Sequence, residues 1–167
     1  MDQSLVISLR VVHILTGAAW VGAVLFISGF ILPAAATEGR RIGGRFLNLL
    51  LDRKWLSLYI TSIEGLAVLT GAVLYWNASG GLQAEWIQSG PGLAFTVGAT
   101  AAIVSLVVSA PFSASLGKAY YLVKDVEPRS SDREYAIVHS RLKRLSVVYS
   151  ILLIIAVGGM ASASYLN

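Results

Sequence analysis

Long apolar runs separated by short charged segments organise this chain, and the two-residue alternation of half-buried strands is absent. The runs cover about residues 5–36, 55–76, 92–116 and 145–166. Each reaches the roughly twenty residues that a helix needs to cross about 30 Å of hydrocarbon. A membrane strand would be about half as long and would alternate in polarity. The pattern therefore predicts an all-α fold: an integral membrane four-helix bundle forming one domain over residues 1–167. The first run ends in Ala34-Ala35-Ala36, which imitates a signal-peptide cleavage site. Asp2 precedes it where lysines are expected, and it is longer than the roughly 7–15 residues of a signal core. It reads as an uncleaved anchor.

Residues that punctuate the pattern add detail. Pro33 suits the end of the first helix and Pro91 the first turn of the third, whereas Pro111 lies inside the third and should kink it, freeing the Val107 carbonyl. Ala101, Ser105, Ser109 and Ser113 recur every four residues, as a stripe of small side chains that lets another helix approach. RIGGRFLNLLLDRK, residues 41–54, mixes cations with leucines and reads as an interfacial helix or an extension of the second span. Asn77-Ala78-Ser79 has the form of a glycosylation sequon and reads as a turn.

Composition and charge settle the class and orientation. Charged residues make up 13% of the chain, against about 25% in soluble domains. The absence of cysteine excludes disulfides, thiolate metal sites and cysteine nucleophiles. Of the 13 Lys and Arg, only Arg10 lies outside two connections. One holds Arg40, Arg41, Arg45, Arg53 and Lys54; the other holds Lys118, Lys124, Arg129, Arg133, Arg141, Lys143 and Arg144. The positive-inside bias puts both connections in the cytoplasm and both termini outside, in a bacterial cytoplasmic (inner) membrane. The net charge of +4 is then a matter of topology and lipid attraction, and nucleic acid is not an expected partner. Aromatic residues fall at the expected interfaces, with Trp55, Tyr120 and Tyr121 inside and Tyr75, Trp76, Trp86 and Tyr165 outside.

Two of the ionisable residues within the apolar runs are site candidates, since such groups inside a membrane suggest function. His13 shares a helix face with Gly17, Trp20 and Val24, one to two turns below the outer surface, with Arg10 nearer the water. Gly17 leaves space for a neighbouring helix or a flat ligand, and Trp20 can stack on a ligand or fill the bundle. Glu64 lies about 18 Å deep at 1.5 Å per residue, so a protonated or hydrogen-bonded carboxyl is expected. Thr61, Ser105 or a backbone carbonyl are its candidate partners. A direct pair with His13 is left open, as is a link through water or a ligand. Met160 lies at about the level of His13, so a His/Met haem or copper pair is possible. His139, before the fourth run, is too far away to serve the same centre.

The spacing of His13, Gly17, Trp20 and Gly22 resembles the first helix of a loose group of bacterial four-helix membrane proteins. They include the copper-resistance protein D family, the membrane domain of cytochrome-linked urate oxidases and the HemJ-type protoporphyrinogen oxidases. LAVLTGAVLYW and the last helix have a similar flavour. The resemblance implies a haem-binding or redox-related role with His13 as ligand, haem b as cofactor and copper as the lesser alternative. The chain lacks a cytochrome c signature, and it reads PGLAFTVGA where HemJ-type enzymes carry a lysine. Whether it is an enzyme stays open. The alternatives are metal or small-molecule transport or assembly, with Glu64 and the kinked third helix lining a path, and a noncatalytic subunit. Besides the lipid bilayer, a homo-oligomer or a larger membrane complex is a candidate partner.

Overall fold

A computed structural model describes residues 1–37, 55–124 and 130–166. Helix α1 (Gln3–Phe26) passes through a π-helical turn, Ile27–Ile31, into α2 (Leu32–Thr37). Then come α3 (Trp55–Ala78), a short α4 (Ala84–Gln88), α5 (Gly90–Lys124) and α6 (Ser130–Ser162), which ends in a 3-10 turn, Ala163–Tyr165. No strand occurs among the described residues. Four helical stretches are long and apolar enough to cross a membrane: Gln3–Ala35, Leu58–Ala78, Gly90–Ala119 and Arg133–Tyr165. At most 28% of any of their apolar windows is buried within the chain. Ile14, Leu15, Leu69 and Val107 are all more than 60% exposed, a surface suited to hydrocarbon and costly in water.

Helices α5 and α6 extend well beyond the apolar runs that announce them. Hydropathy marks where a helix is apolar, whereas lysine, arginine and glutamate continue a helix nearly as well as leucine. An ion pair between Lys118 of α5 and Glu134 of α6, at 2.8 Å, lies in these polar extensions. The interfacial segment 41–54 lies outside the described residues, as do Arg40 and Arg129. The side chains of the interfacial Trp55, Tyr120 and Tyr121 are likewise outside them.

The helix assignment of α5 continues through Pro111, and Ser115 Oγ donates to the Pro111 carbonyl at 2.7 Å. The small-residue stripe is corrected at its end: Ala101, Ser105 and Ser109 are buried, but Ser113 is exposed. Four-residue steps overshoot the 3.6-residue turn by about 40° each, so three of them carry Ser113 about 120° off the face. Phe112, Leu116 and Ala119 continue the buried face instead.

The chain divides into two compact units. The histidine-bearing unit, named for His13, comprises Met1–Val21, Ser62–Leu106 and Ile151–Asn167, and the proline-bearing unit, named for Pro111, comprises Gly22–Thr61 and Val107–Ser150. Inside the first, α5 and α6 pack backbone to backbone. A Cβ added at Gly98 would lie 2.9 Å from the Ala156 carbonyl oxygen, and one at Gly159 would lie 2.8 Å from that of Ala94. Only small residues allow this approach, which supplies dispersion contacts where lipid removes any hydrophobic drive between helices. The same unit is closed by Trp86, edge-on to Tyr75 at 5.4 Å and stacked on Phe95 at 6.1 Å. Tyr75 Oη and Thr96 Oγ1 share a hydrogen bond of 2.6 Å. Ser79 of the sequon is buried; its Oγ donates to the Trp76 carbonyl and accepts from the Leu82 amide, as a turn residue does. In the proline-bearing unit, Phe112 packs edge-on to the fully buried Tyr149 at 5.7 Å.

Candidate functional site

The site grows from one hydrogen bond. Helix α1 carries His13 against α3, where His13 Nδ1 lies 2.9 Å from the carbonyl oxygen of Ala67. A carbonyl only accepts, so Nδ1 carries the proton and donates. Thr70 Oγ1 lies 3.3 Å from the same nitrogen and gives its own proton to the Leu66 carbonyl at 2.6 Å. The hydroxyl oxygen is therefore free to act as a second, weaker acceptor for Nδ1–H. With Nδ1 protonated, a neutral ring has its lone pair on Nε2, the atom that can accept a proton or bind a metal.

Gly71 makes this placement possible. A Cβ there would lie 2.8 Å from His13 Cε1 and 3.2 Å from Nδ1, so the imidazole edge rests on bare backbone. Ala67 and Gly71 are four residues apart and form a small-xxx-small face in which the first residue supplies the carbonyl and the second the space. Sequence reasoning misses Gly71 as a neighbour of the imidazole. The Ala67-Gly71 spacing, with Thr70 between them, was the available signal.

Beside the ring is a cavity of about 60 Å³. Its wall contains His13, Gly17 and Trp20 from α1, Ala67 and Val68 from α3, Ala102 from α5, and Leu153, Ala156 and Met160 from α6. The four residues expected to form a ligand site, His13, Gly17, Trp20 and Met160, thus line one space. Nothing lies within 4 Å of a Cβ placed at Gly17, so of its two expected roles it leaves room and does not seat a helix. Trp20 is buried and closes the wall. The Met160 Cγ would lie 3.2 Å from a Cβ at Gly98, so the thioether is braced by the close α5–α6 packing. Apart from the imidazole, the sulfur and the indole, the lining is aliphatic or glycine.

The second set of polar residues does not line the cavity. Glu64 is only 3% exposed and Ser105 is fully buried, yet neither lines the cavity. Ser105 Oγ donates to its own helix at the Ala101 carbonyl, 2.8 Å away, and Thr61 is exposed. Thr61 lies about 60° from Glu64 on the side away from Ile63, Ala67 and Thr70, the other buried residues of α3, and so is turned off the buried face. His13 bonds Ala67 and Thr70. The direct His13–Glu64 pair is not among its bonds. Arg10 is exposed, as expected.

No group of three or more His, Cys, Asp or Glu suited to a metal ion occurs among the described residues. Any metal here would rest on the histidine–methionine combination. No family model, no curated protein and no solved structure matches the chain.

Proposed function

We propose that the chain is a multi-pass protein of the bacterial cytoplasmic membrane whose cavity binds a soft metal ion, with copper(I) the best match. His13 Nε2 and the Met160 thioether are its proposed ligands. The hydrogen bond from Nδ1 to the Ala67 carbonyl carries this reading, because it is the support that ligating histidines receive: it sets the tautomer and holds the ring. Imidazole and thioether together suit copper(I), and an apolar wall suits a cation that is weakly hydrated and covalently bound. The metal would supply a Lewis-acid or one-electron centre, and the protein's part is to position one nitrogen and one sulfur while excluding water.

Haem b, the cofactor implied by the resemblance to the copper-resistance D, urate oxidase and HemJ-type group, fits less well. Bounded sites for molecules of that class occupy roughly 300–1,000 Å³. The cavity offers about 60 Å³, room for an ion or a few waters. No step is derived through haem. A role in metal transport or assembly follows more naturally than catalysis, since no acid, base or nucleophile other than His13 lines the cavity.

Protein purified in mild detergent is expected to take up copper(I) in competition with a chromogenic chelator and to show no Soret band after haem-supplemented expression. A Soret band that disappears in His13→Ala would replace the copper reading with the haem one. No copper(I) uptake and no Soret band would leave a structural or subunit role. For topology, a reporter fused after residue 166 is expected to be active only outside the cytoplasm, with both basic connections inside. Cytoplasmic activity would reverse the orientation.

A further inference from the structure

We propose that Lys143, Arg144, Val147 and Val148 on α6 form a binding site for an anionic diacyl phospholipid. The proposal concerns the proline-bearing unit and is independent of the metal site, but it rests on the chain being inserted in a membrane. Lys143 lies one turn before Val147 and Arg144 one turn before Val148, so two parallel columns each place a cation beside a β-branched side chain. All four are exposed and together line one open recess. The buried face of the same helix is Leu142, Ser146 and Tyr149, about 170° around from the recess. The columns thus face away from the protein core.

Charge complementarity identifies the occupant. Neither Lys143 nor Arg144 has an ion-pair partner among the described residues, whereas Lys118 uses Glu134 at 2.8 Å. Arg141, also exposed and one turn before Arg144, adds a third positive charge. A phosphate bearing one negative charge meets the cations, the guanidinium offering a planar pair of donors and the ammonium a point charge. Acyl chains then run along the valine columns, which lie where hydrocarbon would begin. A zwitterionic lipid offers the same chains without the net charge, and inorganic phosphate offers the charge without the chains.

Native mass spectrometry of the full chain, released from detergent with equal amounts of phosphatidylglycerol and phosphatidylcholine, tests the site. Phosphatidylglycerol is expected to be retained preferentially. The Lys143→Gln/Arg144→Gln double variant should reduce that retention on the order of 10- to 30-fold, since each surface cation contributes severalfold to anionic-lipid attraction. Lys118→Gln, which removes a paired cation, should leave it unchanged, and matching circular dichroism spectra would show that the variants fold. Equal retention of the two lipids overturns the proposal. So does a double variant that retains phosphatidylglycerol normally, or displacement of the lipid by millimolar inorganic phosphate. A chain that stays monodisperse without detergent overturns the membrane reading itself, a distinct failure.

Discussion

The chain has two histidines, and the structure treats them differently. His13 has its Nδ1 held by the Ala67 carbonyl and Thr70 Oγ1 in the histidine-bearing unit, with its edge on Gly71 and a cavity alongside. His139, in the proline-bearing unit, stacks at 6.0 Å on Tyr135, and its buried Nδ1 has no hydrogen-bond partner among the described residues. A ring whose one nitrogen is committed as a donor offers the other as a defined lone pair. A ring positioned only by stacking has neither tautomer nor orientation assigned. Residue type is the same in both places, so the surroundings make the difference: the Ala67 carbonyl, the Thr70 hydroxyl and the bare backbone at Gly71.

The largest effect should come from removing the ligand. His13→Ala is expected to abolish measurable copper(I) affinity, a loss of about 100-fold or more in chelator competition. Unchanged affinity would dissolve the contrast between the two rings. Gly71→Ala comes next and is the sharper test, because it leaves both proposed ligands in place. Its new Cβ, 2.8 Å from Cε1, forces the ring to shift and strains the bond to Ala67. Affinity should fall by about 10- to 100-fold, the range seen when the hydrogen bond that orients a ligating histidine is perturbed. Stability should fall by no more than about 2 kcal/mol, since about 1 kcal/mol of gained helix propensity opposes an overpacking cost of about 1–3 kcal/mol. A Gly71→Ala protein that binds copper normally would show that ring placement does not matter.

Met160→Leu tests the other proposed ligand. The swap conserves volume and should cost less than about 1.5 kcal/mol in thermal unfolding. Copper(I) affinity is expected to drop about tenfold, since a soft donor disappears while the imidazole stays. Equal affinity would make Met160 a packing residue and the site a one-ligand centre.

Much of this arrangement was legible from depth alone. Counting residues from the helix ends places His13 and Met160 at about one level, with Trp20 two turns along the face of His13, and the structure brings all three to one cavity. Run length likewise anticipates the four long apolar helices. What depth does not give is azimuth. Which face of α3 meets His13 depends on rotation of one helix against another, and a single sequence carries only weak hints of it. Thus Ala67 and Gly71 were missed as partners of the imidazole, and Thr61, a candidate partner of Glu64, lies on the side of α3 away from its buried Ile63, Ala67 and Thr70. Ser113 failed for a related reason, because an exact four-residue repeat is not the period of a helix. The polar extensions of α5 and α6 were hidden because hydropathy does not register helix formed by charged residues.

The smallest expected effect concerns the ring that stacks but is not clamped. His139→Gln should leave copper(I) affinity within about twofold of the parent, because His139 is not among the residues lining the cavity. Its stability should change only modestly, as the substitution removes the stacking on Tyr135 while leaving a polar group on the same helix. Aromatic pairing contributes about 0.5–1.5 kcal/mol beyond area burial, which bounds the expected loss in thermal unfolding. A His139→Gln protein with its metal affinity lost and its helicity intact would mean that the two histidines act on one centre. The backbone clamp on His13 would then no longer separate the proposed ligand from the other ring.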